Sequence, residues 1–509
     1  MQAYASDGQE AAFTASQSRF TSMVAWLGDG QHAGMTHAQV EERLHTDGLA
    51  LLRQLFQDSL DLRASREPRL YEVRDADGVE RGTAEDGRER ALATRFGQVI
   101  VARIAYRGRG LADLHPADAV LNLPAEKYSH GLRRLAAIEA TRGSFTDAAA
   151  AIERATGVLV GKRQAQELTA RAATDVDAFY TARAPGTGPD TDVLAMQYDG
   201  KGVVMRPDAL REATAKAATS RKLSTRLSRG EKRSRKRMAE VACVYDLTPL
   251  PRTAADILPA DDQPRSEAHA APTAHGKWLT ASVTDDAATV IAAGFAEATR
   301  RDPDQKRAWV ALVDGNRHQI DRIRAEARAR SRTVPIVVDF VHVLEYLWAA
   351  TWCFHPEGDP AAQTWVREHA RRILAGHAGV VAAAIRRKAT KQELDPDKRR
   401  NADRCATYLL NNKRWLDYPT ALAAGWPIAT GVIEGACRYL VKDRMDITGA
   451  RWGLDGAEAV LKLRALISNG DFEDYWIWHL DQEQQRIHHT RYADNVIPTR
   501  EAPSADLHP

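Results

Sequence analysis

Two short apolar runs, LAMQYDG ending at Gly200 and AWVALVDG ending at Gly315, each close on an Asp-Gly pair. They constrain this chain more than any bulk property does. Asp-Gly is a common turn dipeptide, and the chain has seven, at 29, 47, 77, 86, 199, 314 and 455. Only those at 199 and 314 directly end a strand-like run. Turn chemistry explains poorly why a carboxylate closes a buried strand, whereas a metal ligand held on a rigid element explains it well.

The runs belong to a block, 190–345, with a rhythm of its own. LAMQYDGKGVVM, MAEVACVYDL and WLTASV read as three strands. DAATVIAAGFAEATRR then reads as a helix, AWVALVD as a strand, QIDRIRAEARAR as a helix and VPIVVDF as a strand. Three strands followed by alternating helix and strand is the ribonuclease-H-like order. The predicted fold class is therefore a multidomain α/β protein with an RNase-H-like mixed sheet, to which the resemblance given below adds an all-helical insertion. A mainly helical N-terminal region containing a helix–turn–helix precedes it. The expected segments are a helical region over 1–70, a small β-rich segment over 71–123 (LYEVRD, a turn at Asp77-Gly78, then TRFGQVIVARIAYRG) and a helix–turn–helix region over 124–185. The core over 190–345 is followed by helices over 346–427, a returning part of the core over 428–480 and a tail over 481–509. Five prolines between 249 and 272 mark a surface excursion.

Bulk properties mainly exclude. A formal net charge of +3 is too small to argue for nucleic acid, so local distribution must carry that point. Cys243, Cys353, Cys405 and Cys437 are far apart, which argues against a zinc module or a disulfide framework and suits a reducing cytoplasm. The polar N-terminus MQAYASDGQEAAF lacks the features of a signal peptide, and no apolar run approaches roughly 18 residues. The expected location is the cytoplasm; association with a bacterial nucleoid is implied only by the resemblance given below.

Two strands side by side bring Asp199 and Asp314 together, and like charges at that range are costly unless a divalent cation neutralises them. Glu434 supplies a third carboxylate. It lies in TGVIEGACRYLVKDRM, a predicted helix capped by Thr430, with Arg438 and Lys442 at i+4 and i+8. The bland alternative is a solvated Glu434 paired with Arg438. A further strand end, IVVDFVHVLEYLW, sets Asp339 three residues before His342. Asp339 competes with Asp314 for the second ligand position. Strand order favours Asp314, leaving Asp339 in support and His342 as a proton-transfer or DNA contact, or else a packed core histidine. Three carboxylates suit phosphodiester chemistry with two Mg²⁺ (or Mn²⁺) ions about 4 Å apart, since hard oxygen ligands disfavour Zn²⁺.

At YDGKGV (198–203), LVDGNRHQ (312–319), DFVHVLEYLW (339–348), GWPIATGVIEGACRYLVKDRMDITGARW (425–452) and LRALISNGDFEDYW, the sequence resembles a bacterial insertion-sequence transposase of the ISKra type. The likeness extends distantly to Mutator-like DDE enzymes and covers roughly residues 190–480. The resemblance implies an RNase-H-like catalytic domain interrupted before the Glu helix by a helical insertion. It implies Asp199, Asp314 and Glu434 as the catalytic triad, with Asp339 and His342 as an Asp-x-x-His motif. The expected function is metal-dependent cleavage at transposon ends and strand transfer. Two alternatives are an RNase-H-like nuclease or resolvase that does not join ends, and a helix–turn–helix regulator with an inactive catalytic domain.

Double-stranded DNA is the expected partner. Residues 206–237 hold twelve Lys or Arg against three acidic residues, and Arg229, Lys232, Arg233, Arg235, Lys236 and Arg237 form their densest stretch. They read either as a solvated face or as a phosphate-tracking segment. Residues 144–173 have helix–turn–helix spacing with Gly157 at the turn, placing Lys162, Arg163, Gln164 and Gln166 where base edges are read; an ordinary helical hairpin fits the same pattern. Arg438, Lys442 and Arg451 are further candidate phosphate contacts. Trp452 reads as a stacking platform for an unpaired base or as core. By analogy, pairing two ends requires at least a homodimer on DNA.

Overall fold

The computed structural model describes residues 11–30, 32–186, 188–218, 235–259 and 271–499. The chain is mixed α/β and divides into two compact units, Met1–Thr181 with Asp471–Pro509, and Ala182–Gly470.

The first unit opens with two helices, α1 (Thr14–Gly28) and α2 (His37–Ser65). Thr36 and Gln39 start α2 with a reciprocal capping box. An antiparallel ribbon follows, β1 (Thr83–Thr94) and β2 (Gly97–Arg107). The sequence TAEDGRERALAT of β1 was not among the expected strands. It is a half-exposed edge whose polar side chains hide the strand period. LYEVRD, expected as a strand, contributes only an isolated bridge between Arg74 and Glu80.

Three helices then pack together: α3 (His130–Arg142), α4 (Phe145–Thr156) and α5 (Lys162–Ala172). Leu132, Ala136, Ile152, Val160, Ala165 and Leu168 fill the space between them. Ser144 and Asp147 cap α4 at its start, and Gly157 ends it in the left-handed region at φ 67°. The predicted boundary at 481 falls inside a helix, Phe472–Ile487, that belongs to this unit. Arg133, fully buried, bonds to Glu126 and to Glu483 at 2.6 Å each. Asp175 pairs with His479 at 2.6 Å and Arg486 at 2.9 Å. Beyond that helix Tyr492 is buried against Val73, Ile104 and Tyr106.

The second unit is built on a five-stranded sheet of order β5-β4-β3-β6-β7: β3 (Val193–Val204), β4 (Lys236–Leu247), β5 (His275–Ser282), β6 (Trp309–Val313) and β7 (Ile336–Val338). β4 is antiparallel to both neighbours, and β6 and β7 run parallel to β3. Every side chain from Val193 to Tyr198 and throughout β6 is buried, so these strands lie beneath layers on both faces. Alternation along β3 identifies the layers. Tyr198 reaches Gly294 on α6 (Ala287–Arg301), whereas Gln197 and Asp199 point to the opposite face, toward Ile433 and Cys437. Helix α7 (Arg317–Ala329) links β6 to β7, and α8 (Phe340–Thr351) leaves β7.

The helices expected over 346–427 are present as α9 (Pro360–Leu374), α10 (Ala378–Lys391) and α11 (Pro396–Asn412). Within the proline-rich stretch the described residues 249–259 are held to these and later residues. The Arg371 Nε donates to the Leu258 carbonyl at 3.0 Å, and the Arg252 guanidinium to the Trp426 carbonyl at 2.6 Å. The chain returns to the sheet through α12 (Gly431–Ala436), a π-helical turn (Cys437–Lys442) and α13 (Leu454–Asn469).

A candidate carboxylate centre on the central strands

Asp199 does not end its strand. β3 continues to Val204 and Asp199 pairs with Val241 of β4. What ends there is the parallel ladder, because β6 pairs only with residues 194–197. Asp199 therefore stands just past the tip of β6. One carboxylate oxygen accepts from the Gly200 amide at 2.7 Å, and the Cys437 side chain lies beside the same group.

Asp314 follows the last residue of β6. Its Oδ1 accepts from the Asn316 amide at 2.8 Å, and its carbonyl accepts from the Tyr408 hydroxyl at 2.8 Å. Gly315 has φ +94°, and a Cβ there would lie 3.0 Å from that hydroxyl, so this turn requires glycine. Asp339 follows β7, and its amide donates to the Val313 carbonyl at 2.9 Å. Its buried carboxylate caps α8, accepting from Val341 at 3.0 Å and His342 at 3.2 Å, and it takes the Thr430 amide at 3.2 Å as well. Asp314, half-buried, accepts one hydrogen bond at its carboxylate; Asp339 accepts three.

Glu434 lies in the first turn of α12. Thr430 occupies the cap position, but its side chain caps no amide; its hydroxyl donates to Glu434 at 3.1 Å. The expected basic face does not form. The π turn widens the helix after Ala436, Arg438 lies 3.8 Å from Asp443, and Glu434 pairs with neither Arg438 nor Lys442.

These carboxylates act on one another. Burial, reinforced by the charge of Asp314, holds the Asp199 carboxyl above its usual range. Burial, reinforced by the charges of Asp339 and Asp199, does the same to Glu434. Among the described residues, Asp199, Asp314, Asp339 and Glu434 form no ion pair with Lys, Arg or His. Nor, among those residues, do any three His, Cys, Asp or Glu side chains form a group close enough to hold a metal ion. Burial and the Asp199 charge push the Cys437 thiol far up, so it stays protonated.

Four residues around this centre escaped the sequence reading. Glu240 on β4 lies opposite Gly200, and burial with the Asp199 charge raises its carboxyl; one polar residue in the run MAEVACVYDL was its only signal. Cys437 and Tyr408 had none. Gln197 is fully buried. Its Oε1 accepts from the Ile433 amide at 2.9 Å, and its Nε2 donates to the Tyr245 hydroxyl at 2.8 Å, tying β3 to the start of α12.

His342, partly exposed, has Nδ1 2.9 Å from Glu345 and its ring edge-on to Tyr346 and Tyr408, which stack on each other at 4.0 Å. Several expected DNA contacts are engaged elsewhere. Arg235 is buried, and its carbonyl accepts from Met205. Arg237 donates to the carbonyls of Val283, Ala209 and Thr284, which fixes it between loops. Trp452 is 5% exposed: its indole donates to the Met445 carbonyl at 3.0 Å, Arg444 lies over its ring, and it bridges to Met205. It is core and extends the edge of β3. Lys236, Arg438, Lys442 and Arg451 are exposed, and Arg229, Lys232 and Arg233 lie outside the described residues.

In the first unit Lys162 and Arg163 stand exposed on the first turn of α5, with Arg163 2.9 Å from Glu167. Gln164 and Gln166 are half-buried, and Gln164 folds back over Gly161. No helix among the described residues is long and apolar enough to cross a membrane. Compared with protein-family models and with curated proteins, the chain matches none.

Proposed function

We propose that this chain is a DNA transposase of the insertion-sequence DDE type, an RNase-H-like polynucleotidyl transferase with Asp199, Asp314 and Glu434 as its triad. One observation carries the reading. Carboxylates from two central strands and a returning helix lie within electrostatic reach of one another and, among the described residues, pair with no cation, and burial with neighbouring negative charge holds Asp199 and Glu434 above their usual range. The sheet order, with an antiparallel strand beside the central one and helices before the Glu-bearing turn, supports the same assignment.

The donors suit hard divalent cations. All are carboxylates, and the one nearby thiol is protonated, which favours Mg²⁺ or Mn²⁺ over Zn²⁺. With their side chains drawn closer than they stand here, Asp199, Asp314 and Glu434 would hold two such ions, which would supply an activated water or 3′-hydroxyl and offset charge on the leaving oxygen. Asp339 keeps Thr430 and the start of α8 in place. The α3–α5 cluster, with Lys162 and Arg163 leading α5, is the proposed helix–turn–helix for binding transposon ends, in a protein acting at least as a dimer.

The test uses linear DNA carrying the sequences that flank the coding region, with Mg²⁺ or Mn²⁺ and a target plasmid. End cleavage followed by joining is expected, with Asp199→Ala and Glu434→Gln each reduced at least ~100-fold. Cleavage that never yields joined product rejects transposition in favour of a nuclease. Full activity in Asp199→Ala rejects the triad.

A further inference from the structure

In the first unit β2 pairs with β1 alone, which leaves it one free edge. Such an edge presents a row of backbone amides and carbonyls, and alternation along the strand fixes which residues present them. Gln57 of α2 marks the outward set at Ile100. Its Oε1 accepts from the Ile100 amide at 2.8 Å, and its Nε2 donates to the Ile100 carbonyl at 2.9 Å. The Ile104 amide donates to Glu67 at 3.0 Å, and Tyr106 exchanges two backbone bonds with Leu114. The even-numbered residues from Ile100 to Tyr106 therefore face outward, Ala102 among them. Across the ribbon Ala93, opposite Gln98, obeys the same alternation by bonding outward to Lys127 and Ser129.

Side chains and a loop thus take the place of a third strand on either side of Ala102, but not at Ala102 itself. Among the described residues no group bonds to its outward amide and carbonyl. Ala102 instead lines a cavity of about 470 Å³. Leu60, Val101, Pro116, Val120, Leu121 and Pro498 give that cavity apolar walls. Its volume falls within the range of small-molecule sites, which combine apolar walls with a few placed polar groups. A peptide unit facing such walls is costly to leave unpaired.

The polar groups of the cavity select among ligands. A carboxylate has no proton for the Ala102 carbonyl. It would also meet Glu67, which lines the cavity and whose carboxyl burial already holds above its usual range. An ammonium has no acceptor for the Ala102 amide, and it would meet the exposed guanidinium groups of Arg63 and Arg66. A carboxamide carries a donor and an acceptor side by side, the pair that Gln57 uses on Ile100. We propose that this cavity binds a small uncharged molecule with an apolar body and a carboxamide or lactam edge, which completes the β2 edge at Ala102. The site lies in the first unit and needs none of the carboxylates of the second.

Hydrocinnamamide is the probe, titrated into the full chain and followed by ligand-observed NMR and by hydrogen exchange. It binds with a Kd of roughly 1 mM, the scale expected for a fragment of about eleven heavy atoms. Its methyl ester analogue, which lacks the donor, binds at least ~10-fold more weakly, as do hydrocinnamate and phenylpropylammonium. Exchange of the Ala102 amide slows at least ~3-fold at saturating probe. Ala102→Pro removes the outward amide without touching the β1 ladder, and Val120→Trp crowds the cavity from a position 55% exposed. Each lowers affinity at least ~10-fold with the circular dichroism spectrum unchanged. Equal affinity for amide and ester overturns the proposal, and so does binding that leaves Ala102 exchange unaltered. Undiminished binding in Val120→Trp overturns it as well, a check that stands even where Ala102→Pro fails to fold. Absence of binding at roughly ten times the expected Kd overturns it outright.

Discussion

Asp314 and Asp339 each stand one residue past a neighbouring strand, and the structure distinguishes them by what their oxygens hold. Asp339 takes three backbone amides, two at the start of α8 and one from Thr430. Replacing it with Asn removes charge from a helix cap and weakens a buried acceptor, at a cost of about 1–3 kcal/mol. Asp314 gives one oxygen to a turn and leaves the other open. Asp314→Asn is therefore expected to lose cleavage at least ~100-fold with little change in urea stability, and Asp339→Asn to lower stability first. Side-by-side denaturation curves and cleavage rates check both; equal activity losses at unchanged stability would promote Asp339 to a ligand. At this scale the sequence named the acidic residues but not their employment. Asp199 looked like a strand terminus because the Asp-Gly turn signal is local, whereas β3 continues by pairing with β4, a partner about forty residues away. Glu434 looked able to pair with Arg438 because i+4 spacing assumes an unbroken α-helix.

The elements that were legible are those buried on both faces. VLAMQY and WVALV are continuous apolar runs because helices cover both sides of the sheet, and such runs leave little choice but a central strand. β1 was lost for the opposite reason: its exposed polar residues carry no period. The π turn had no sequence signal, since a wide turn is selected by what it positions, in this case Cys437 against Asp199. Trp452 reads from the sequence as either a ligand platform or core, because tryptophan after a loop has no local mark separating a packed ring from an open one, and the structure shows it packed. The tie between elements is Gln197, which joins β3, β4 and the start of α12. Gln197→Leu strands the Ile433 amide and the Tyr245 hydroxyl and frees Glu434's helix. Cleavage is expected to fall at least ~10-fold, while Tyr245→Phe, which removes only the far partner, retains most of it. Equal rates in wild type and Gln197→Leu would show that Glu434 is positioned without this clamp.

Across the whole molecule, the charges that hold the first unit differ in kind from those of the carboxylate centre. Asp175 is buried, which raises its carboxyl, but hydrogen bonds from His479 and Arg486 outweigh this and bring it down to about 2. Its folded value thus lies below its unfolded one. The stability it contributes is fully present above the ordinary aspartate range near pH 4 and is lost as pH falls toward 2. Asp175→Asn should lower the stability of this unit by roughly 2 kcal/mol at neutral pH. The difference from wild type should shrink progressively below about pH 4, as read from urea melts at a series of pH values. A gap independent of pH would assign the loss to packing.

The helix Phe472–Ile487 has a consequence for how the protein is made. In chain order the carboxylate-bearing unit is an insertion inside the other, whose buried salt links join Arg133 and Asp175 to residues some three hundred positions later. During synthesis the ribosome completes the sheet and its helices before it supplies Glu483, the later of the two partners of Arg133, and both partners of Asp175. A message interrupted anywhere in between yields a first unit in which Arg133 keeps Glu126 alone and Asp175 has neither of its partners, a fragment expected to be open to proteolysis. Completion of the first unit is in this way made contingent on a second unit already translated.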